Sequence, residues 1–339
     1  MTDVVTSQSR TPANFQQDPL SWQIPSYNNE GQILAKRYAI RSILNRGSFG
    51  ITFLAQNIYL PGQPLCVIKK LAPRFTDPNL IAITRNKFAL EAQSLSRLIT
   101  HSQIPSLLDY FQIGTDLYLV EEYIPGIVLT EIIDKQRRFT ESEVEKFLIQ
   151  MLRLLEYIHS HHLIHCDIKP QNIILCQTDR RFVLVDFGAV EDIDPATIER
   201  NQSDSNGVAV GTPGFAPPEQ LASRAVYASD IYALGMTCVY LLTGKEPSQF
   251  STDPYTCELR WSDTIDISVG LRETISKTIQ IPLADRYQSA TQVLIALENR
   301  SIRAKLRTYL DRKNAISKSE QICSRLSHPA VVHWALGIE

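Results

Sequence analysis

The chain has 339 residues, 44% of them hydrophobic and 21% charged, which is ordinary for a soluble globular protein with one large core or two lobes and excludes disordered and fibrous classes. A formal net charge of −2 supplies no overall basic field, so neither nucleic acid nor an acidic membrane surface is expected as a partner. The longest apolar run, residues 231–242, is too short for a bilayer, which takes roughly 20 residues, and predicts a buried core helix.

In chain order, residues 1–36 are rich in Gln, Asn, Ser, Thr and Pro, lack apolar periodicity and the features of a signal peptide, and predict a flexible arm on a cytoplasmic protein, with Trp22 and Ile24 as its candidates for docking. Alternating patterns predict strands at 37–44, 51–60 and 65–71, separated by turns at NRGSFG (45–50) and PGQP (61–64). FALEAQSLSRLI (88–99) has helical spacing, LYLVEEYI (117–124) reads as a strand, and residues 141–160 form the clearest helix. The expected organisation is α+β and two-lobed: a small β-rich lobe over about 37–123, a larger helical lobe over about 124–300, and a tail over 301–339. Six cysteines (66, 166, 176, 238, 257, 323) without C-x-x-C spacing predict reduced thiols.

The chemistry concentrates at HCDIKPQN (165–172) and VLVDFGAV (183–190). The apolar runs IIL and VLV flank a polar turn, and a hairpin there brings Asn172 and Asp186 side by side. An amide oxygen and a carboxylate that share a cation with waters and phosphate oxygens suit a Mg²⁺ nucleotide site. Asp167 is placed to accept a proton from an attacking hydroxyl, and Lys169 to neutralise charge on a phosphoryl group. His161, His162 and His165 lack a carboxylate or thiolate at ligand spacing; His165 is instead expected to support this loop and pack near Phe187.

LNRGSFGIT (44–52), CVIK (66–69), HCDIKPQN, DFG (186–188) and PPE (217–219) together resemble, in order and spacing, the motifs of a bacterial eukaryotic-like serine/threonine protein kinase, from about Tyr38 to about Arg300. The resemblance implies ATP and Mg²⁺ as cofactors and Ser/Thr hydroxyls of proteins, including this chain itself, as acceptors. It implies a nucleotide pocket of Leu44, Asn45, Arg46, Gly47, Ser48, Phe49, Gly50, Thr52, Val67 and Ile174, with backbone contacts to adenine from Glu122 and Ile124. Lys69 would meet the α- and β-phosphates, steadied by Glu91. Asp167 would be the base or orienting residue, Lys169 the γ-phosphate contact, and Asn172 and Asp186 the metal ligands. GTPGFAPPE (211–219) resembles a substrate-docking segment, with Thr212 bonding to Asp167 and Lys169; Glu219 is expected to pair with Arg286, and Asp230 to anchor the 165–167 backbone.

Three departures from the family pattern carry expectations. Asn45 replaces the first glycine of the loop and, as a residue that tolerates positive φ, is expected to let it close. Cys166 replaces an arginine that binds phosphate on the following segment, so control through phosphorylation of Thr197, Ser203 or Ser205 is not expected unless Arg200 or Arg224 substitutes. Glu121 stands at the back of the adenine pocket, where a carboxylate must be paired or partly wet. A nucleotide-binding pseudokinase and a small-molecule kinase on a related fold are the alternatives; the full set Lys69, Asp167, Asn172 and Asp186 argues against the first, and the docking segment against the second. The tail carries seven basic and three acidic residues, +4, leaving −6 for the rest; a basic helix on an acidic lobe is one reading and a partner-docking or autoregulatory segment the other.

Overall fold

The computed structural model describes residues 31–47, 50–73, 76–135, 137–193, 211–256, 258–263 and 265–300. The arm before residue 31, the tail, Ser48 and Phe49, Thr197, Arg200, Ser203 and Ser205 lie outside the described residues. The first lobe is one antiparallel sheet of β1 (Ile33–Leu34), β2 (Tyr38–Arg46), β3 (Gly50–Asn57), β4 (Leu65–Leu71), β5 (Leu107–Ile113) and β6 (Asp116–Glu122), in the order β1-β2-β3-β4-β6-β5. Two strands depart from expectation. β1 falls inside the stretch read as arm, and Leu34 is buried because it pairs with Tyr38 at the sheet edge. β5 escaped prediction because it is the opposite edge strand, largely exposed and bulged between Leu107 and Asp109, so its alternation is weak.

Strand periodicity gives this sheet two working faces. Cys66 and Ile68 of β4 and Tyr118 and Val120 of β6 join Tyr38, Ile40, Phe53 and Ala55 in one apolar layer. The other face of β4 and β6 carries Val67, Lys69, Leu71, Leu117, Leu119 and Glu121; Leu71, Leu117 and Leu119 pack with α1 (Pro78–Arg97) through Phe88, Ala92 and Leu95. The helix is ten residues longer at its start than the 88–99 pattern suggests. Asp77 caps it by accepting from the amides of Asn79 and Leu80, and Pro78 sits at the first position, where its missing N–H costs nothing.

The second lobe is built on α2 (Leu129–Asp134), α3 (Glu141–Ser160), α4 (Pro218–Leu221), α5 (Tyr227–Thr243) and α6 (Val269–Thr278), with residues 290–300 also helical. α3 begins at a capping box in which the Glu143 amide donates to Thr140 Oγ1 and the Thr140 amide to the Glu143 carboxylate. α5 is buried from Ala228 to Thr243 and pressed against α6: a Cβ on Gly235 would lie 2.1 Å from Thr278 Oγ1, so only glycine permits the approach. Across the top of this lobe lie a sheet ordered β10 (Phe182–Leu184), β9 (Ile173–Cys176), β7 (Gly126–Val128), and a pair of β8 (Leu163–Ile164) with β11 (Glu191–Asp192). Among the described residues no helix is long and apolar enough to cross a membrane, and the described cysteines 66, 166, 176 and 238 are free thiols.

Arg286 locks α4 to the lobe. Its side chain, 0% exposed, donates to Glu219 Oε1 at 2.6 Å and to the carbonyls of Gln280 (2.8 Å), Ala228 and Ile281 (both 3.1 Å), and its guanidinium lies over the Tyr232 ring. Removing one member of a buried, fully bonded pair leaves the other uncompensated. Arg286→Ala is therefore expected to lower unfolding free energy by about 3–5 kcal/mol in urea titrations. A loss within the ~1 kcal/mol of an exposed pair would show that the forked contacts are not formed.

Candidate active site

The segment from His165 to Asn172 is held from below. Asp230, wholly buried in the first turn of α5, accepts from the amides of His165 and Cys166 at 2.9 Å each and lies 2.9 Å from His159 Nε2. A carboxylate at a helix N-terminus is electrostatically favourable there, which helps it stay buried. The chain reverses at Cys166 in the left-handed region (φ 63°), and Gln220 Nε2 donates to its carbonyl. Burial pushes the Cys166 thiol well above its usual range, so it is a neutral packing group. The His165 ring meets Phe187 edge-on at 4.7 Å, as expected, and burial lowers its pKa.

Above this support, Asp167 is fully engaged. Its Oδ1 accepts from Thr212 Oγ1 at 2.7 Å, and its Oδ2 accepts from Asn172 Nδ2 at 2.8 Å and stands 2.7 Å from Lys169 Nζ. Lys169 Nζ also donates to Thr212 Oγ1 at 2.8 Å, closing a ring of three residues. Asn172 Nδ2 donates in addition to the Asp167 carbonyl at 2.9 Å. Since Asp167 offers only acceptors, the amide nitrogen must face it, and Asn172 Oδ1 is the atom left for a ligand.

The β9–β10 hairpin forms as expected, and the Val185 amide donates to the Asn172 carbonyl at 2.9 Å, which sets Asp186 beside the Asn172 turn. Asp186 is also left-handed (φ 66°), and its side chain is half exposed. It is one of three carboxylates around Lys69 Nζ: Glu91 Oε1 at 2.5 Å, Glu121 Oε1 at 3.1 Å and Asp186 Oδ1 at 3.2 Å. A side chain on Gly188 would press on Glu91, its Cβ 3.2 Å from Oε2. Burial alone would lower Lys69, but the three carboxylates outweigh it and hold the ammonium well above the usual lysine range. Burial pushes the Glu91 carboxyl up to about 7 against the pull of Lys69, and raises Glu121 in the same way, whereas the Lys69 charge holds Asp186 below the usual carboxylate range.

The remaining residues of the expected pocket line the strands around this cluster. Leu44, Asn45 and Arg46 are exposed on β2, and Thr52 on β3 and Val67 on β4 are partly buried. Asn45 does not use its tolerance of positive φ: it is extended and paired with Thr52, because the strand continues to Arg46 and the turn begins only at Gly47, whose amide donates to the Gly50 carbonyl at 2.9 Å. Gly50 is required by packing, since a Cβ would lie 2.1 Å from the Lys70 carbonyl oxygen. The Glu122 amide is already spent on the Ser106 carbonyl at 2.9 Å, leaving only its carbonyl for a ligand. Ile124 is buried with Cys176 and Val183, and Ile174 packs against that cluster.

The pairing of Glu121 with Lys69 is the feature that motif reading missed. Its signal was the alternation itself, which places both residues on one face of neighbouring strands. A bulky apolar ligand group pushed against Glu121, 3% exposed and paired with Lys69, would have to displace that pair or pack against its charge. Such ligands are expected to bind Glu121→Thr at least about tenfold more tightly than wild type, one lost buried polar conflict being worth about 1–3 kcal/mol. Equal dissociation constants by calorimetry would contradict this placement of Glu121.

The model of the protein kinase domain family matches residues 38–297. The chain is 46% identical over 265 residues to serine/threonine-protein kinase B of Synechocystis sp., covering 77% of this chain and 46% of that protein. It is 40% identical over 269 residues to serine/threonine-protein kinase PknA of Nostoc sp., covering 79% and 48%. The chain thus spans about half the length of the curated relatives it matches. Among solved structures, the PknI kinase domain of Mycobacterium tuberculosis, as a double mutant, shares the fold with a TM-score of 0.62 at 22% identity, covering 80% of this chain and 98% of that one.

Proposed function

The chain belongs to the protein kinase family, and from that premise we propose that residues 37–300 transfer the γ-phosphate of ATP to Ser or Thr hydroxyls of protein substrates. The observation that carries this reading is the closed ring of Asp167, Lys169 and Thr212 beside Asn172 and the Lys69 cluster, with contacts of 2.7 to 2.8 Å within the ring. A pseudokinase has no need to keep a carboxylate, an ammonium and two hard oxygen donors converged in this way.

The donor set fits Mg²⁺: a half-exposed Asp186 carboxylate and the Asn172 amide oxygen are hard ligands that leave room for waters and phosphate oxygens. When bound, the cation offsets phosphate charge. Lys69 would bind the α- and β-phosphates, with Glu91 fixing its direction. Leu44, Val67 and Ile174 would cover the adenine, which Glu122 and Ile124 would meet through their backbones. Asp167 orients the acceptor hydroxyl and takes its proton as the oxygen–phosphorus bond forms and the bond from the γ-phosphorus to the bridging oxygen of ADP breaks. Lys169 neutralises charge on the phosphoryl group in flight, and Thr212 holds Asp167 and Lys169 in register. The four cysteines among the described residues are free thiols, which supports a reducing cytoplasmic setting. Phosphoamino-acid analysis after reaction with γ-labelled ATP tests the acceptor class: label on Ser or Thr of a protein is expected, and label confined to a small molecule contradicts the reading.

With Cys166 neutral, a phosphate on the segment after Gly188 gains no arginine partner at that position. The Thr197, Ser203 and Ser205 to Ala triple variant, verified as unphosphorylated by mass spectrometry, is expected to keep wild-type turnover within about threefold. A hundredfold loss, about 2.7 kcal/mol of activation free energy, would show that a phosphate-binding cation exists elsewhere.

A further inference from the structure

The two carboxylates nearest Lys69 besides Asp186 are mounted differently. Glu91 rides on α1. Glu121 belongs to the sheet: β4 and β6 are hydrogen-bonded with Val67 opposite Glu121 and Lys69 opposite Leu119, so Lys69 and Glu121 are diagonal neighbours on one face. Diagonal neighbours across an antiparallel pair are about 7–8 Å apart, within reach of two long side chains. Strand register therefore sets the Lys69–Glu121 contact wherever α1 lies. Glu121 has no other ion-pair partner among the described residues, and no well-formed hydrogen bond satisfies its Oε1. A charge buried to this degree persists only beside a counter-charge, so each member of the pair holds the other in the cleft.

We propose that Glu121 is a second positioning residue for Lys69, an anchor on the sheet that keeps the ammonium aimed into the cleft independently of Glu91. The proposal rests on the kinase reading of Lys69. It makes the lysine's orientation redundant: displacement of α1 or loss of Glu91 leaves Lys69 tethered by Glu121, and loss of both leaves it only Asp186, a proposed metal ligand, among its three carboxylate neighbours.

The test is a double-mutant cycle on Glu91→Met and Glu121→Met, which keep side-chain volume nearly constant while removing charge and acceptor. The dissociation constant of Mg·ATP by calorimetry, and KM and kcat on a protein substrate, are measured for wild type, both single variants and the double. Each single variant is expected to weaken Mg·ATP binding by less than about tenfold, and the double by at least about tenfold more than the product of the singles, the signature of two partners sharing one ligand. Glu121→Gln, which retains an oxygen acceptor, is expected to recover part of that loss in the Glu91→Met background, with the change in KM rather than kcat. A double variant that loses no more than the product overturns the proposal. If Glu121→Met fails to fold, the cycle is run with Glu121→Leu, which also removes charge and acceptor, and additivity counts equally against the anchor. A wild-type chain that binds Mg·ATP but transfers no phosphate would remove the kinase reading, while the binding cycle still judges the anchor.

Discussion

Replacing Asp167 with Ala is expected to lower kcat for phosphoryl transfer by about 10² to 10⁴ while leaving nucleotide affinity nearly unchanged. The carboxylate accepts from Thr212 and Asn172 and faces the Lys169 ammonium, so it is the group on which the acceptor-side network converges. In the proposed mechanism its loss leaves the acceptor hydroxyl without an oriented proton acceptor and frees Lys169 from one partner, whereas the Lys69 cluster proposed to meet the nucleotide is untouched. Steady-state kinetics on a protein substrate, with nucleotide affinity measured separately, distinguishes the two effects. Wild-type turnover in the variant would remove Asp167 from the reaction.

Replacing Asp186 should fail by a different route. Asparagine is the informative substitution, because the residue sits at φ 66° and Ala would add backbone strain. Asp186→Asn keeps one oxygen donor but no charge, and stands to lose several kcal/mol of charge stabilisation in the transition state, about 10²-fold or more in rate. The expected signature is metal-specific: wild-type affinity for ATP falls when EDTA removes Mg²⁺, and the affinity of Asp186→Asn, already weak, changes little. A variant whose ATP affinity responds to EDTA as fully as wild type would assign the metal to other residues.

The placement of these residues was legible in the sequence because they lie in short segments whose local structure is nearly forced. Two apolar runs around a polar turn have to make a hairpin, and the hairpin has to bring Asn172 near Asp186. Residues 141–160 were legible for a similar reason, since a capping box marks the start and an apolar stripe runs the length of the helix. The first ten residues of α1 were not, because a proline and polar residues read as a break unless the helix is known to start there. Edge strands β1 and β5 were missed because half-exposed strands carry little alternation. The positive φ that Asn45 tolerates is not used, because the strand runs on to Arg46 and holds it extended, and where β2 ends is a property of the folded sheet. Glu121 shows the limit of motif reading: its oddness was visible, but its partner depends on the register of two strands separated by some fifty residues, and register belongs to the folded sheet.

The most direct measurement of the central claim is incorporation of label from γ-labelled ATP into a generic Ser/Thr-containing protein by the purified chain, run beside Asp167→Asn. Mg²⁺-dependent labelling by wild type is expected, with a rate lower by at least about a hundredfold for the variant, in which Asn presents an amide nitrogen to donors that require an acceptor. Equal labelling by the two proteins, or none by a wild type that binds Mg·ATP, would contradict it.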